Sequence, residues 1–171
     1  MLDLHSYFSW LAFNHLFQNA DYADEAYFMW NPQKSKFEII PWDFDDLLQG
    51  HPHEGAEVRG RTQGDKLLFS LEDELDKKIA ADSYLYGKYL QAYNELLNKL
   101  TDEQLRDVLA RVYNEVSPYY LQPDIIGQSQ YDRYGKTDLG MLEGDLYTIY
   151  QYISVKSKEL RSTIAPQLPA E

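Results

Sequence analysis

The densest chemistry in the sequence lies in Glu38-Ile39-Ile40-Pro41-Trp42-Asp43-Phe44-Asp45-Asp46. An apolar, strand-like run from Phe37 to Ile40 ends at a proline. Asp43, Asp45 and Asp46 then follow, with Trp42 and Phe44 interleaved. If the strand period of two continues past Pro41, Asp43 and Asp45 face one side and Phe44 the other. Phe44 then anchors in the core while two carboxylates converge. Converging carboxylates repel, which raises a pKa unless a cation sits between them. No Lys or Arg lies between Lys36 and Arg59 to supply one. Hard oxygen ligands of this kind suit Mg2+, Mn2+ or Ca2+ rather than zinc. Trp42 is expected to pack beneath the loop, against Tyr27 or Phe28 and against Phe13 or Phe17, so that the backbone at Asp43 is fixed. The competing reading is a plain polar turn after a strand.

The elements that must position these residues start with a helix over the run Leu4 to Phe17. Asp3 is its predicted cap, and Leu4, Phe8, Leu11, Ala12 and His15 or Leu16 fall at helical spacing. The helix is expected to end near Asn19, a residue that tolerates left-handed angles. His15 reads as a histidine at the edge of the core rather than a ligand. Asp21-Tyr22-Ala23-Asp24-Glu25 is an acidic loop. Tyr27 to Trp30, a turn at Asn31-Pro32, and Lys36 to Ile40 make a hairpin over residues 26 to 41. By returning the chain, the hairpin can bring Asp43 near Asp21. Residues 47 to 66 are a loop broken by glycines and prolines. Within it, His51-Pro52-His53 reads as solvated histidines rather than a transition-metal site, and Arg59-Gly60-Arg61 as an exposed basic cluster.

The remainder reads as helical. Ser70 to Ile79 is a short charged candidate. Tyr86, Tyr89, Leu90, Tyr93, Leu96, Leu97 and Leu100 form one apolar stripe. Thr101-Asp102-Glu103-Gln104 has capping-box form, and Leu105, Val108, Leu109, Val112 and Val116 continue as a second stripe that stops before Pro118. Residues 117 to 136 read as irregular, and Leu142 to Ile164 as a long last helix ending before Pro166. Both stripes are expected to be core faces. The predicted fold class is mainly α with a small β-hairpin (α+β) in a single domain over residues 1–171. Residues 1–50 carry helix, hairpin and acidic site, 51–69 a loop, and 70–171 the helical part.

Composition bounds the function. The 171 residues are 44% hydrophobic and 15% aromatic, enough for a core, and the 15 tyrosines suit a core with wet edges. A net charge of −12 argues against nucleic acid and anionic membrane surfaces, both of which need basic patches. The absence of cysteine excludes disulfides and thiolate chemistry. No apolar run is long enough for a membrane span, and Asp3 and His5 interrupt any export signal at the start.

Pro41-Trp42-Asp43-Phe44-Asp45 resembles the PWDFD motif of the spore coat protein H (CotH) kinase-like family. The family's Asn-x-Asp element matches Asn19-Ala20-Asp21 at the end of the first helix, and its aromatic strand matches Tyr27-Phe28-Met29-Trp30. The elements occur in the family's order, and the helical remainder looks like the end of its domain. The resemblance implies the C-terminal lobe of an atypical protein-kinase-like fold and an Mg2+-dependent phosphotransferase, with Mn2+ or Ca2+ as alternative ions. Asp21 would be the catalytic, acceptor-side residue, and Asp43, with Asp45 beside it, would bind the metal. The family's Asn, five residues after the first Asp, falls on Ala26, which has no oxygen to offer. The sequence holds no glycine-rich phosphate loop. The reading therefore expects a chain that is incomplete or inactive alone, using ATP only if an upstream lobe exists. Its expected partners are that lobe or a protein substrate. The family implies a bacterial cell-surface, spore-coat or secreted setting. Two other functions stay open: a non-catalytic pseudokinase-like or Ca2+-stabilised interaction domain, and a carbohydrate-active site using the carboxylates beside Trp10, Trp30 and Trp42.

Overall fold

A computed structural model of the chain describes residues 1–23, 26–53, 66–122, 124 and 138–168. It is mainly helical with one two-stranded antiparallel sheet, the α+β class that the sequence predicts. The chain forms two compact units. One comprises Met1–Asn98 and Leu160–Glu171, the other Lys99–Glu159.

In the first unit, α1 runs over Leu4–Phe17 with Asp3 as N-cap, its carboxylate accepting from the Ser6 N–H at 3.5 Å. The helix closes one residue earlier than expected. Gln18, at φ 49°, takes the left-handed position, and its N–H caps Asn14. Asn19 is instead buried, its amide donating to Asn14 Oδ1 at 3.0 Å. Tyr7, Phe8, Trp10, Leu11, Ala12 and Leu16 are buried, whereas Leu4, at the first turn, is exposed. His15 stands 2.7 Å from the Tyr93 hydroxyl at the edge of the core.

β1 (Tyr27–Asn31) pairs with β2 (Lys36–Ile40) in the register Tyr27 to Ile40 and Asn31 to Lys36. The chain start runs parallel to β2. Phe37 N–H donates to the Met1 carbonyl at 2.9 Å, and Asp3 N–H to the Phe37 carbonyl at 2.7 Å. These bonds seat the hairpin beside α1, and the Phe28 ring stacks on Tyr7 at 6.2 Å.

The short charged helix, α2, covers Glu74–Ala81 and starts later than Ser70 because Asp73 caps it, accepting from Leu75 N–H. α3 spans Ser83–Lys99, and its buried Tyr86, Tyr89, Leu90, Tyr93 and Leu97 follow the predicted stripe. The tyrosines serve a buried segment. Leu68, Phe69, Ser70 and Leu71 are all inside, where unpaired backbone groups would be costly. Leu67 N–H donates to the Tyr86 hydroxyl, the Tyr89 hydroxyl donates to the Leu67 carbonyl, and the Tyr22 hydroxyl both donates to the Ser70 carbonyl and accepts from Ser70 N–H. Arg161, near the end of the last helix, donates to the Leu97 carbonyl, and Leu160 and Ile164 join this core.

The second unit holds α4 (Asp102–Tyr120) and most of α5 (Leu139–Ile164). The Thr101–Gln104 capping box forms as predicted. Pro118 lies inside α4 rather than beyond it. Of the second stripe only Leu105 is buried, while Val108 and Val112 are exposed. α5 carries Leu142 and Ile153 as buried residues. Polar contacts hold this unit: Arg106 donates to Asp102 at 2.6 Å and to the Tyr150 hydroxyl at 2.9 Å, and Tyr150 donates to Asp102 at 2.7 Å. α5 ends before Pro166, as the sequence predicts, and a 3-10 turn, Ala165–Gln167, follows it. Arg59-Gly60-Arg61, Asp24 and Glu25, and nearly all of the stretch 117–136 beyond α4, lie outside the described residues.

Candidate functional site

The strand does not continue through the acidic motif. β2 ends at Ile40, residues 41–44 are irregular, and Asp43 adopts φ 41°. Aspartate is among the few residues that tolerate this region, because its short side chain can bond the local backbone. The left-handed residue replaces the simple alternation expected past Pro41, yet it keeps Asp43 and Asp45 in contact. The Asp43 carboxyl is raised above its ordinary range, chiefly by the Asp45 charge. Asp21 adds to the effect, so carboxylates from two separate loops act on one spot.

The aromatic residues of the motif divide the packing differently from the expectation. Phe44 turns toward α1, its ring 5.0 Å from Phe13, which itself packs on Phe17 at 4.5 Å, but it stays 39% exposed instead of anchoring in the core as expected. Trp42 meets Tyr27 edge-on at 6.0 Å but remains 56% exposed. The position predicted for Trp42 near the first helix is therefore occupied by Phe44. A cavity of about 410 Å³, lined by Trp10, Phe13, Ile39, Pro41 and Phe44 among others, backs the loop. Trp10 is buried against Tyr22, whereas Trp30 is half-exposed.

Beyond the motif the chain folds back along the end of α1. Ala20 N–H donates to the Asp46 carbonyl at 3.0 Å, Leu48 N–H to Phe17 at 2.7 Å, Gln49 N–H to Gln18 at 3.2 Å, and His53 N–H to Ala20 at 3.1 Å. This lacing sets Asp46 and His53 beside Asp21. His53 Nδ1 lies 3.2 Å from Asp21 Oδ1, and Nε2 lies 3.3 Å from Asp46 Oδ2. The His51-Pro52-His53 segment thus splits. Pro52 is buried, and His53 joins the acidic face instead of standing free in solvent.

Asp21 is also held from below. Its neighbour Tyr22 is buried with its hydroxyl 3.1 Å from one Asp76 carboxylate oxygen, while Tyr7 donates to the other at 2.8 Å. Burial raises the Asp76 carboxyl to about 7, although both tyrosine hydroxyls oppose the shift. The sequence offered no clear sign of this support. Asp76 reads as one acid in a charged helix, and its partners lie more than fifty positions away.

Asp43 and Asp45 touch one another, and Asp21 acts on Asp43 through its charge, whereas the residues whose ligand atoms all lie within 4.8 Å of one another are Asp21, Asp46 and His53. Carboxylate oxygens of this kind are ligands for a hard divalent ion. Their mutual repulsion is of the kind that a cation relieves. Among the described residues, the His53 ring stands between Asp21 and Asp46, one nitrogen toward each.

Residues 1–154 match the family model described as CotH kinase protein. Neither a curated protein nor a solved structure matches the chain. The match covers the acidic motif, the hairpin, the loop at Asp21 and most of the helical part together, and by it the chain belongs to the CotH kinase protein family.

Proposed function

We propose that this chain carries the acceptor-side and metal-side residues of a kinase-like phosphotransferase. The observation that supports the reading most is the contact of Asp43 with Asp45, with the Asp21 charge near enough to add to the rise of the Asp43 carboxyl. Phosphoryl transfer proceeds largely through positioning and charge stabilisation. On this reading Asp21 orients the acceptor hydroxyl and takes its proton as the new oxygen–phosphorus bond forms and the bond to the leaving diphosphate breaks. Asp43 and Asp45 would hold Mg2+ or Mn2+, which supplies neutralisation of phosphate charge when bound. The Phe44–Phe13 contact fixes the loop so that the carboxylates are placed in advance. Ala26, where the family's asparagine would stand, contributes no ligand, and the sequence has no glycine-rich phosphate loop. We expect the transfer to depend on a nucleotide-covering segment outside the described residues, and nucleotide binding by the 171-residue chain alone to be weak.

Calorimetric titration of Mg2+ and Mn2+ into the wild type and Asp43→Asn tests the metal side. Divalent binding that falls about tenfold or more in the variant is the expected result, in line with the loss of a metal-positioning group. Equal affinity in both proteins would sink the assignment of Asp43. Melting curves with Mg-ATP test the second clause. A rise of several degrees in the wild type would reveal strong nucleotide binding by mass action and overturn the expectation of weakness.

A further inference from the structure

His53 reaches the acidic face on a firm support. Its backbone N–H is bonded to Ala20, one residue before Asp21, and Ala20 N–H is bonded in turn to Asp46. Three side chains from three stretches of sequence therefore meet through main-chain bonds that do not involve the side chains themselves. One ligand atom from each of Asp21, Asp46 and His53 lies within 4.8 Å of the others. A role as counter-ion leaves charge unbalanced. The imidazole carries at most one positive charge and stands between two carboxylates, and Asp43 and Asp45 add further negative charge to the same face.

The donor set also discriminates among cations. Mg2+ prefers a complete octahedron of oxygens and gives up its waters reluctantly. An imidazole nitrogen is instead a good ligand for first-row transition ions, with carboxylates completing the shell. We propose that Asp21, Asp46 and His53 form a divalent site with one nitrogen donor, which selects a transition ion such as Mn2+ over Mg2+. The proposal deepens the phosphotransferase reading and rests on it, adding His53 and Asp46 to Asp43 and Asp45. Asp21 serves both roles because a carboxylate has two oxygens. Oδ1 faces His53, and the second oxygen would meet an acceptor hydroxyl. On binding, the imidazole offers one nitrogen, and each aspartate offers an oxygen.

The test titrates Mn2+ and Mg2+ separately into the wild type, His53→Ala and His53→Gln, and records pulsed electron paramagnetic resonance of the Mn2+ complexes. His53 is exposed, so circular dichroism is expected to show all three folded. In the wild type Mn2+ should bind about tenfold or more tighter than Mg2+, with nitrogen modulation in the spectrum. Both variants should lose the modulation and most of the preference, while Mg2+ affinity stays within about twofold of the wild type. Mn2+ bound without nitrogen modulation, or a preference unchanged in both variants, would overturn the nitrogen site and leave the Asp43 assignment standing. Failure of both ions to bind the wild type would remove both together.

Discussion

Trp42 and Phe44 are two residues apart and of similar type, but they do different work. The motif announces that aromatic rings flank the acids. Which ring anchors depends on the left-handed backbone at Asp43, and a period-two reading of the sequence cannot see that turn. Phe44 takes the contact with Phe13, and Trp42 is left more than half exposed beside Tyr27. Trp42→Ala should therefore cost only about 1 kcal/mol, well short of the 3–5 kcal/mol typical of a buried tryptophan. Phe44→Ala should cost more than Trp42→Ala and should also weaken divalent binding, because the loop loses its attachment to α1. Urea midpoints and calorimetric titration of the two variants check this order. A Trp42→Ala protein less stable than Phe44→Ala would show that the tryptophan is the anchor after all. His53 was legible only as half of a histidine pair beside a proline. Its meeting with Asp21 depends on the 46–53 segment lacing along the end of α1, and no local pattern encodes that pairing.

At the scale of elements, the sequence predicts well wherever local chemistry decides. Asp3 caps α1, Thr101 and Gln104 form their box, and the hairpin strands stand where their aromatic and β-branched residues place them. The two apolar stripes show where such reading stops. Both have helical periodicity, but periodicity reports a face without reporting what covers it. Leu97 is fully buried in α3, whereas Leu109 is only partly buried in α4 and Val108 beside it is exposed. Leu97→Ala should cost about 2–5 kcal/mol, and Leu109→Ala about 1 kcal/mol. Denaturant unfolding followed by circular dichroism measures both. Equal costs would mean that the α4 stripe is as well packed as that of α3. Pro118 makes a related point. It removes one backbone donor, yet α4 carries on to Tyr120, so the proline is accommodated in the helix's last turn.

For the whole molecule, a net charge of −12 gathered partly at one face makes cations the natural ligands. It also conceals the one acid whose titration matters most for stability. Asp76 lies among the charged residues of α2, but Tyr7 and Tyr22 draw it inside, where burial raises its carboxyl to about 7. The unfolded chain titrates the same group near 4. Between those values the folded protein holds a proton that the unfolded chain has released. Stability contributed by this group is therefore full below about pH 4 and declines as the pH rises toward 7, by up to about 1.4 kcal/mol per pH unit. The shifts at Glu38, Glu74 and Asp102 run the opposite way, since hydrogen bonds or ion pairs lower each of them, but Glu74 and Asp102 are exposed and Glu38 is partly so, and their solvent-screened pairs weigh little. Asp76→Asn isolates the effect, because asparagine does not titrate and its carbonyl can still accept from one tyrosine. Melting temperatures measured from pH 4.5 to 7.5 should fall with pH more steeply in the wild type than in Asp76→Asn. Parallel curves would mean that the carboxylate stays ionised throughout, held by its two tyrosines. Since Tyr22 adjoins Asp21, deprotonation of Asp76 should also loosen the loop at the acidic face, and amide exchange at residues 20–23 should quicken with pH beyond its intrinsic rate in the wild type alone.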